Sequence, residues 1–369
     1  MYKQLKGKTI TFVFAQIYPD FTGGAEVFNY YLLREISKSH KIVLISHSDP
    51  GISGIKLYKI KRIKPVRLIY PLQLFLFLYK SSRNSDAIYT SFSRASWLVY
   101  IPVTLFSVLF NVPYSFTIHG GGMKRWRFKL PFQIFFKKAR AITGVSYRIC
   151  EEYSNRTGLD IRYLPPLIPF LTSSLTMTEL RQRYKIPADS QVFLFVGSLK
   201  PLKNPLHVLR ALNLLGNDFL VKQKIRLVYA GDGILREDLL RYLDENGLSG
   251  FVYMQGNVPL ETIHELYSIA DFYVISSDFE GTPIALLEAM HNSLPVIASD
   301  APGINNFLTN NETAILYRTG DTGALAKAIE KLTEDPVIRS YLRLNAKKYY
   351  DEHFDYRKIV GDYVNIITS

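Results

Sequence analysis

Residues 271–300, DFYVISSDFEGTPIALLEAMHNSLPVIASD, decide the fold: an apolar strand (DFYVISS), a glycine-containing loop, an apolar helix (PIALLEAM) and a second apolar strand (PVIASD) follow in succession. Strands covered on both faces read as continuous apolar runs, and two strands running the same way need a crossover helix. The stretch therefore predicts a βαβ unit in a parallel sheet. Upstream the theme repeats. VFLFVGS, IRLVYAG and VYMQGN read as strands, with helical patterns from about residue 204, over LREDLLRYLDENG and over LETIHELYSIA. Together they predict a doubly wound parallel sheet.

The first half has the same grammar. TITFVFAQ (9–16), the glycine turn TGGAE, the helical run VFNYYLLREISKS and the strand KIVLISH form another βαβ unit, and AIYTSF, YSFTIH and AITGVS continue the strand character. Prolines and Ser/Thr clusters in residues 164–190 mark a linker, with the boundary near 170. The expected fold class is α/β: two Rossmann-like domains, 1–170 and 171–350, facing a central cleft lined by the carboxyl ends of their strands. A chain of 369 residues exceeds one ordinary core, and 47% hydrophobic with 21% charged residues is globular composition.

Charge is divided unevenly. Of the net +13, residues 1–170 hold 25 basic groups against 8 acidic, whereas residues 171–369 hold 20 against 24. Residues 51–150 carry 17 basic groups and one acid, Asp86, among aromatic runs such as LIYPLQLFLFLY. That mixture fits an anionic membrane surface better than a nucleic acid. WLVYIPVTLFSVLF (97–110) is too short to span a bilayer and reads as a core helix. The opening residues reach Asp20 with no leader pattern, and a lone cysteine, Cys150, points to a reducing compartment, the cytoplasm. The histidines are scattered, with no zinc spacing. Gly-x-Gly-x-x-Gly, Walker and Gly-x-Ser-x-Gly motifs are missing, which excludes the usual dinucleotide, P-loop and serine-nucleophile schemes.

Within 271–300, Thr282-Pro283 predicts a helix start, with Thr282 as N-cap and Pro283 at the first helical position. Backbone N–H groups near Gly281, Thr282, Ile284 and Ala285 then suit a phosphate. Glu280 complements the positive helix end or contacts a ligand. Glu288 sits in an apolar run and needs a partner, for which a ribose diol offers two hydroxyl donors.

Glu280 and Glu288 with their spacing resemble the Glu-x7-Glu signature of retaining, nucleotide-sugar-dependent glycosyltransferases of the family 4 type, which adopt the GT-B fold. Other segments resemble that family in order: PDFTGGAEVFNYYLLREIS its N-terminal glycine loop, YSFTIHGGG its cleft histidine, and VGSLKPLKNP its lysine loop. YMQGNVPLETIHELYSIAD resembles its base-holding segment, and residues 351–369 its C-terminal helix, which crosses back to the first domain. The sequence departs at Ser198 (usually arginine), Asn204 and Ser293 (usually glycine), Asn305 (near a usual acid) and YLPPLIP.

The resemblance implies transfer of a sugar from a nucleotide diphosphate sugar to an acceptor hydroxyl with retained configuration. Lys203, the helix start at Gly281, Thr282, Pro283 and Ile284, and Gly23-Gly24 would take the diphosphate. Ser198, or Lys200 in its stead, stands at the arginine's place. Asn257 and Val258, beside Gly256, would hold the base, Glu288 the ribose, and His119 and Glu280 the sugar. It implies no cofactor and no obligatory metal; the basic, aromatic stretch 51–150 in turn points to a glycan or lipid-linked acceptor, met by a cytoplasmic protein at the inner face of a membrane. No nucleic acid partner is expected. A sugar-nucleotide epimerase of the same architecture and a non-catalytic partner subunit are the alternatives.

Overall fold

The computed structural model describes residues 7–20, 24–61, 66–92, 97–120, 129–167 and 173–368. They form two compact units, Met1–Pro169 with Tyr356–Ser369, and Phe170–Asp355.

The first unit is built on a seven-stranded parallel sheet. Its strands are β1 (Thr9–Phe14), β2 (Lys41–Ser46), β3 (Ile55–Lys59), β4 (Ala87–Phe92), β5 (Tyr114–Ile118), β6 (Ala141–Gly144) and β7 (Arg162–Tyr163), in the order β3-β2-β1-β4-β5-β6-β7. β5, YSFTI, is buried at every position because helices cover both faces. The helices are α1 (Gly24–Ser37), α2 (Val66–Ser81), α3 (Trp97–Phe110), α4 (Lys129–Lys138) and α5 (Tyr147–Thr157). Aromatic side chains fill much of the core. Phe135 stacks on Tyr100 at 4.4 Å and on Phe116 at 4.8 Å between ring centroids, and burying each such ring stabilises the fold by about 1.5–3 kcal/mol.

The expectation of a core helix over 97–110 holds for one face only. Tyr100, Val103 and Phe106 of α3 are buried, but Ile101, Leu105, Val108 and Leu109 are 46–59% exposed. A helix apolar all round reads as fully buried; this one has protein on only part of its circumference.

The second unit carries a six-stranded parallel sheet of β8 (Gln191–Val196), β9 (Ile225–Ala230), β10 (Val252–Met254), β11 (Phe272–Ile275), β12 (Val296–Ser299) and β13 (Ile315–Tyr317). Their order is β10-β9-β8-β11-β12-β13. The helices are α6 (Met177–Arg183), α7 (Pro205–Leu215), α8 (Asn217–Lys222), α9 (Arg236–Glu245), α10 (Ile263–Ile269), α11 (Ile284–His291), α12 (Thr322–Glu334) and α13 (Pro336–His353). Residues 351–353, expected in the crossing segment, are instead the last turn of α13. The return to the first unit is α14 (Tyr356–Thr368), where Ser115 Oγ of β5 donates to the Ile366 carbonyl at 3.1 Å and Tyr363 is fully buried.

Candidate functional site

In the second sheet the winding reverses between β8 and β11. Connections from β8 run outward to β9 and β10, those from β11 outward to β12 and β13. Loops leaving the carboxyl ends of such a strand pair diverge and leave a crevice, the usual ligand position of an open α/β sheet. Here the loop after β8 is Gly197–Asn204 and the loop after β11 is Ser276–Pro283.

The two loops are stitched together. The Asp278 N–H donates to the Leu202 carbonyl at 2.9 Å, and Ser276 Oγ lies 3.1 Å from the Lys203 carbonyl and 2.9 Å from that of Asn204. Glycines set how closely neighbouring loops approach. A Cβ on Gly231 would fall 2.0 Å from the Gly197 carbonyl oxygen, and one on Gly233 2.4 Å from that of Leu199. The Gly-Asp-Gly run is therefore a close-packing device, not a fragment of a dinucleotide motif.

Lys203 and Glu280 meet where the loops join. Lys203 Nζ donates to Glu280 Oε1 at 2.5 Å, and Ser277 Oγ donates to the same oxygen at 2.6 Å. Glu280 is 8% exposed and Lys203 is half-buried. The Glu280 backbone is clamped too. Its N–H donates to the Pro302 carbonyl at 3.0 Å, and Gly303, at φ 90°, approaches so closely that a Cβ would lie 1.9 Å from the Glu280 carbonyl oxygen. Oε2 is bonded to no described residue, so the carboxylate keeps an acceptor for a ligand while Oε1 fixes its orientation. An ammonium has three donors, and Lys203 can hold Glu280 and still reach an anion.

Asn204, at the position of the family's usual glycine, has φ 47° and ψ 47°. Asparagine is the side-chain-bearing residue that best tolerates this left-handed conformation, so the loop keeps its turn without glycine. Ser293 replaces a glycine at φ 58°, where its side chain has no such local advantage.

The helix start differs from the expectation. Pro283, at φ −78° and ψ 81°, is the cap of α11, and its carbonyl accepts from Leu286 and Leu287 at 3.0 and 3.1 Å. The Thr282 carbonyl is occupied by the Ile284 N–H at 2.9 Å in a tight turn. Thr282 is thus outside the helix and the Ile284 N–H is not available to a phosphate. Gly281 is half-buried with nothing within 4 Å of a Cβ position, which leaves space for a ligand beside its backbone.

Glu288 stands one turn into α11 with a partner the sequence did not disclose. The Tyr267 hydroxyl lies 2.7 Å from Glu288 Oε2 and 3.2 Å from the Ala285 carbonyl. Burial pushes the Glu288 carboxyl up to about 7, against the Tyr267 hydrogen bond, which lowers it. Tyr267 lies on the buried face of α10, where a helical pattern reads as ordinary core; only the fold brings it to Glu288. Ser277, Pro302 and Gly303 were missed likewise, because each acts through a contact distant in sequence.

Ser198, exposed to an intermediate degree, follows β8; Gly256, Asn257 and Val258 follow β10. The Gly231 N–H donates to the Gly256 carbonyl at 2.7 Å, so the expected base-holding segment and the lysine loop belong to one continuous rim. Lys200 is exposed on that rim.

In the first unit, Gly23 lies outside the described residues, and Gly24 is the exposed first residue of α1. His119 follows β5, its N–H donating to the Phe92 carbonyl at 2.9 Å. Its ring meets Phe28 of α1 edge-on at 4.6 Å, and Phe28 in turn meets Tyr363 of α14 at 5.1 Å. Burial holds the imidazole down at about 3, so it is neutral at ordinary pH, and its buried Nε2 is bonded to no described residue. An orphaned buried nitrogen costs about 1–3 kcal/mol, which a hydroxyl ligand would recover. Among the described residues no group of three His, Cys, Asp or Glu is placed to hold a metal ion, and no helix is long and apolar enough to cross a membrane.

Comparison with known proteins shows the family. Residues 22–169 match the model described as Glycosyltransferase Family 4, and residues 176–349 the model described as Glycosyl transferases group 1. The chain is similar to the alpha-D-kanosaminyltransferase of Streptomyces kanamyceticus, 31% identical over 46% of this chain and 42% of that one. It is also similar to the UDP-Gal:alpha-D-GlcNAc-diphosphoundecaprenol alpha-1,3-galactosyltransferase of Escherichia coli, 31% identical over 41% of this chain and 38% of that one. The chain spans about half the length of the relatives it matches. In fold it is similar to Anabaena HepE, solved in complex with UDP-glucose, with a TM-score of 0.75 and 17% identity over 97% of this chain and 99% of that one.

Proposed function

The chain belongs to the GT4-like glycosyltransferases of the GT-B fold, and on that premise we propose that it moves a sugar from a nucleotide diphosphate sugar to an acceptor hydroxyl with retention of configuration. The observation that carries this reading is the Lys203–Glu280 contact of 2.5 Å at the carboxyl ends of β8 and β11. An ammonium for a departing diphosphate stands beside a carboxylate for a sugar gaining positive charge, and the transition state needs both.

In this reading the bond from the anomeric carbon to the diphosphate oxygen breaks, and the bond to the acceptor oxygen forms on the same face. The acceptor proton passes to the departing phosphate oxygen. Lys203 and the backbone at Gly281 receive the diphosphate; Ser198, Asn257 and Val258 border the nucleoside, and Glu288 takes the ribose diol. Neutral His119 hydrogen-bonds a sugar hydroxyl through Nε2; an imidazole titrating at about 3 is no acid at pH 7. Lys203 supplies the positive charge, and the reaction needs no metal; full activity in EDTA is the expected result, and loss restored by a divalent cation would refute it.

Uridine diphosphate sugars head the donor panel, because the E. coli relative is named for UDP-Gal and the HepE complex holds UDP-glucose. Thermal shift against sugar nucleotides identifies the donor, since a ligand bound by the native state raises its melting temperature. NMR of the products then separates transfer to an acceptor, with retained anomeric configuration, from epimerisation of the donor alone. Donor turnover by the wild type, lost in Glu280→Ala, excludes a non-catalytic partner subunit.

The acceptor is a glycan or lipid-linked glycan at an anionic membrane surface on the cytoplasmic side. Supporting this are the diphosphoundecaprenol acceptor in the relative's name, the basic excess of residues 51–150, and Leu72, Leu76, Ile101, Leu105, Val108 and Leu109, exposed on the adjoining helices α2 and α3. Apolar side chains flanked by cations bind anionic lipid surfaces. Co-sedimentation with anionic but not neutral vesicles is expected, and no preference would remove this part.

A further inference from the structure

We infer that the second unit holds a separate ligand site, for a small organic phosphate with an apolar body, at the amino ends of β11 and β12. A cavity of about 450 Å³ opens there, within the range of small-molecule sites and at the opposite strand ends from Lys203 and Glu280.

Met177, Leu294, Pro295 and Pro336 give its lining an apolar part, while α13 contributes Arg339, Ser340 and Arg343 from successive turns of one face. Asp271, the carboxylate that lines the cavity, is already neutralised: its Oδ2 accepts from Arg181 Nη2 at 2.8 Å and from the Val192 N–H at 2.7 Å. Arg339 donates through Nη1 to Gln191 Oε1 at 3.0 Å and stands over the Phe272 ring, which fixes its guanidinium. Arg343 is exposed and bonded to no described residue. The cavity is thus cationic in a half of the chain with more acidic than basic groups, 24 against 20 over residues 171–369. Guanidinium groups fork onto phosphate oxygens, and a phosphate monoester brings close to two negative charges for the two arginines. The apolar part of the lining takes the rest of the molecule.

Tyr267, whose hydroxyl holds Glu288, also lines this cavity. An occupant therefore abuts the side chain that partners the carboxylate of the other site. The inference does not rest on the sugar-transfer reading, because the cavity and its charges stand without it.

The test is calorimetric titration of phenyl phosphate into the full chain carrying Lys203→Ala, which removes the other phosphate-binding ammonium. Binding of one equivalent is expected, weakened tenfold or more by adding Arg343→Glu, an exposed position whose change leaves folding intact. Inorganic phosphate is expected to bind more weakly than phenyl phosphate. Equal affinity with and without Arg343→Glu, or no binding to the Lys203→Ala protein, overturns the inference; equal affinity for the two phosphates overturns the apolar-body part.

Discussion

The two units wind their parallel sheets alike, outward in both directions from the first strand, yet treat the polar groups at their strand ends differently. In the second unit the carboxylates arrive partnered, Glu280 by Lys203 and Ser277, Glu288 by Tyr267. In the first, His119 presents a buried Nε2 bonded to no described residue. One unit fixes its carboxylates by internal hydrogen bonds; the other holds a buried nitrogen without one from any described residue. Binding energy and turnover should therefore respond differently to changes in each.

The largest effect is expected at Glu280. Glu280→Ala should lower kcat about 100-fold or more, the scale of removing one transition-state contact, while the melting temperature stays close to that of the wild type. A kcat within threefold of the wild type would break the comparison at its centre. His119→Ala should lower kcat about tenfold and leave nucleoside diphosphate affinity unchanged. Loss of diphosphate affinity in that variant would contradict this.

The smallest effect is thermal and sharpens the account of Glu288. Its carboxyl titrates at about 7 in the folded state against 4.5 ordinarily. A raised folded value means stability that is present below 4.5 and lost as pH rises through 7, because only the unfolded carboxyl ionises freely. Glu288→Gln does not titrate. Its melting temperature should match the wild type near pH 4.5 and exceed it by about 2–4 °C at pH 8. A constant difference across that range would show that burial does not disfavour the charge.

Much of the fold was legible because parallel strands buried on both faces cannot hide: β11 is an unbroken apolar run, and β8 is one after Gln191. Glu280 and Lys203 were legible through their motifs. The cap of α11 was misread because Thr-Pro matches a common helix start, whereas here the Thr282 carbonyl closes a tight turn instead. The exposed outer face of α3 was misread because an all-apolar helix carries no mark of which side lacks a neighbour. Tyr267 was illegible for a different reason: its meeting with Glu288 depends on how α10 and α11 pack, and nothing within either helix records it.

The most direct test of the central claim, that the ammonium beside Glu280 grips the donor diphosphate, is titration calorimetry of UDP with the wild type and Lys203→Ala. The account predicts that Kd rises at least tenfold in the variant. An unchanged Kd would contradict it.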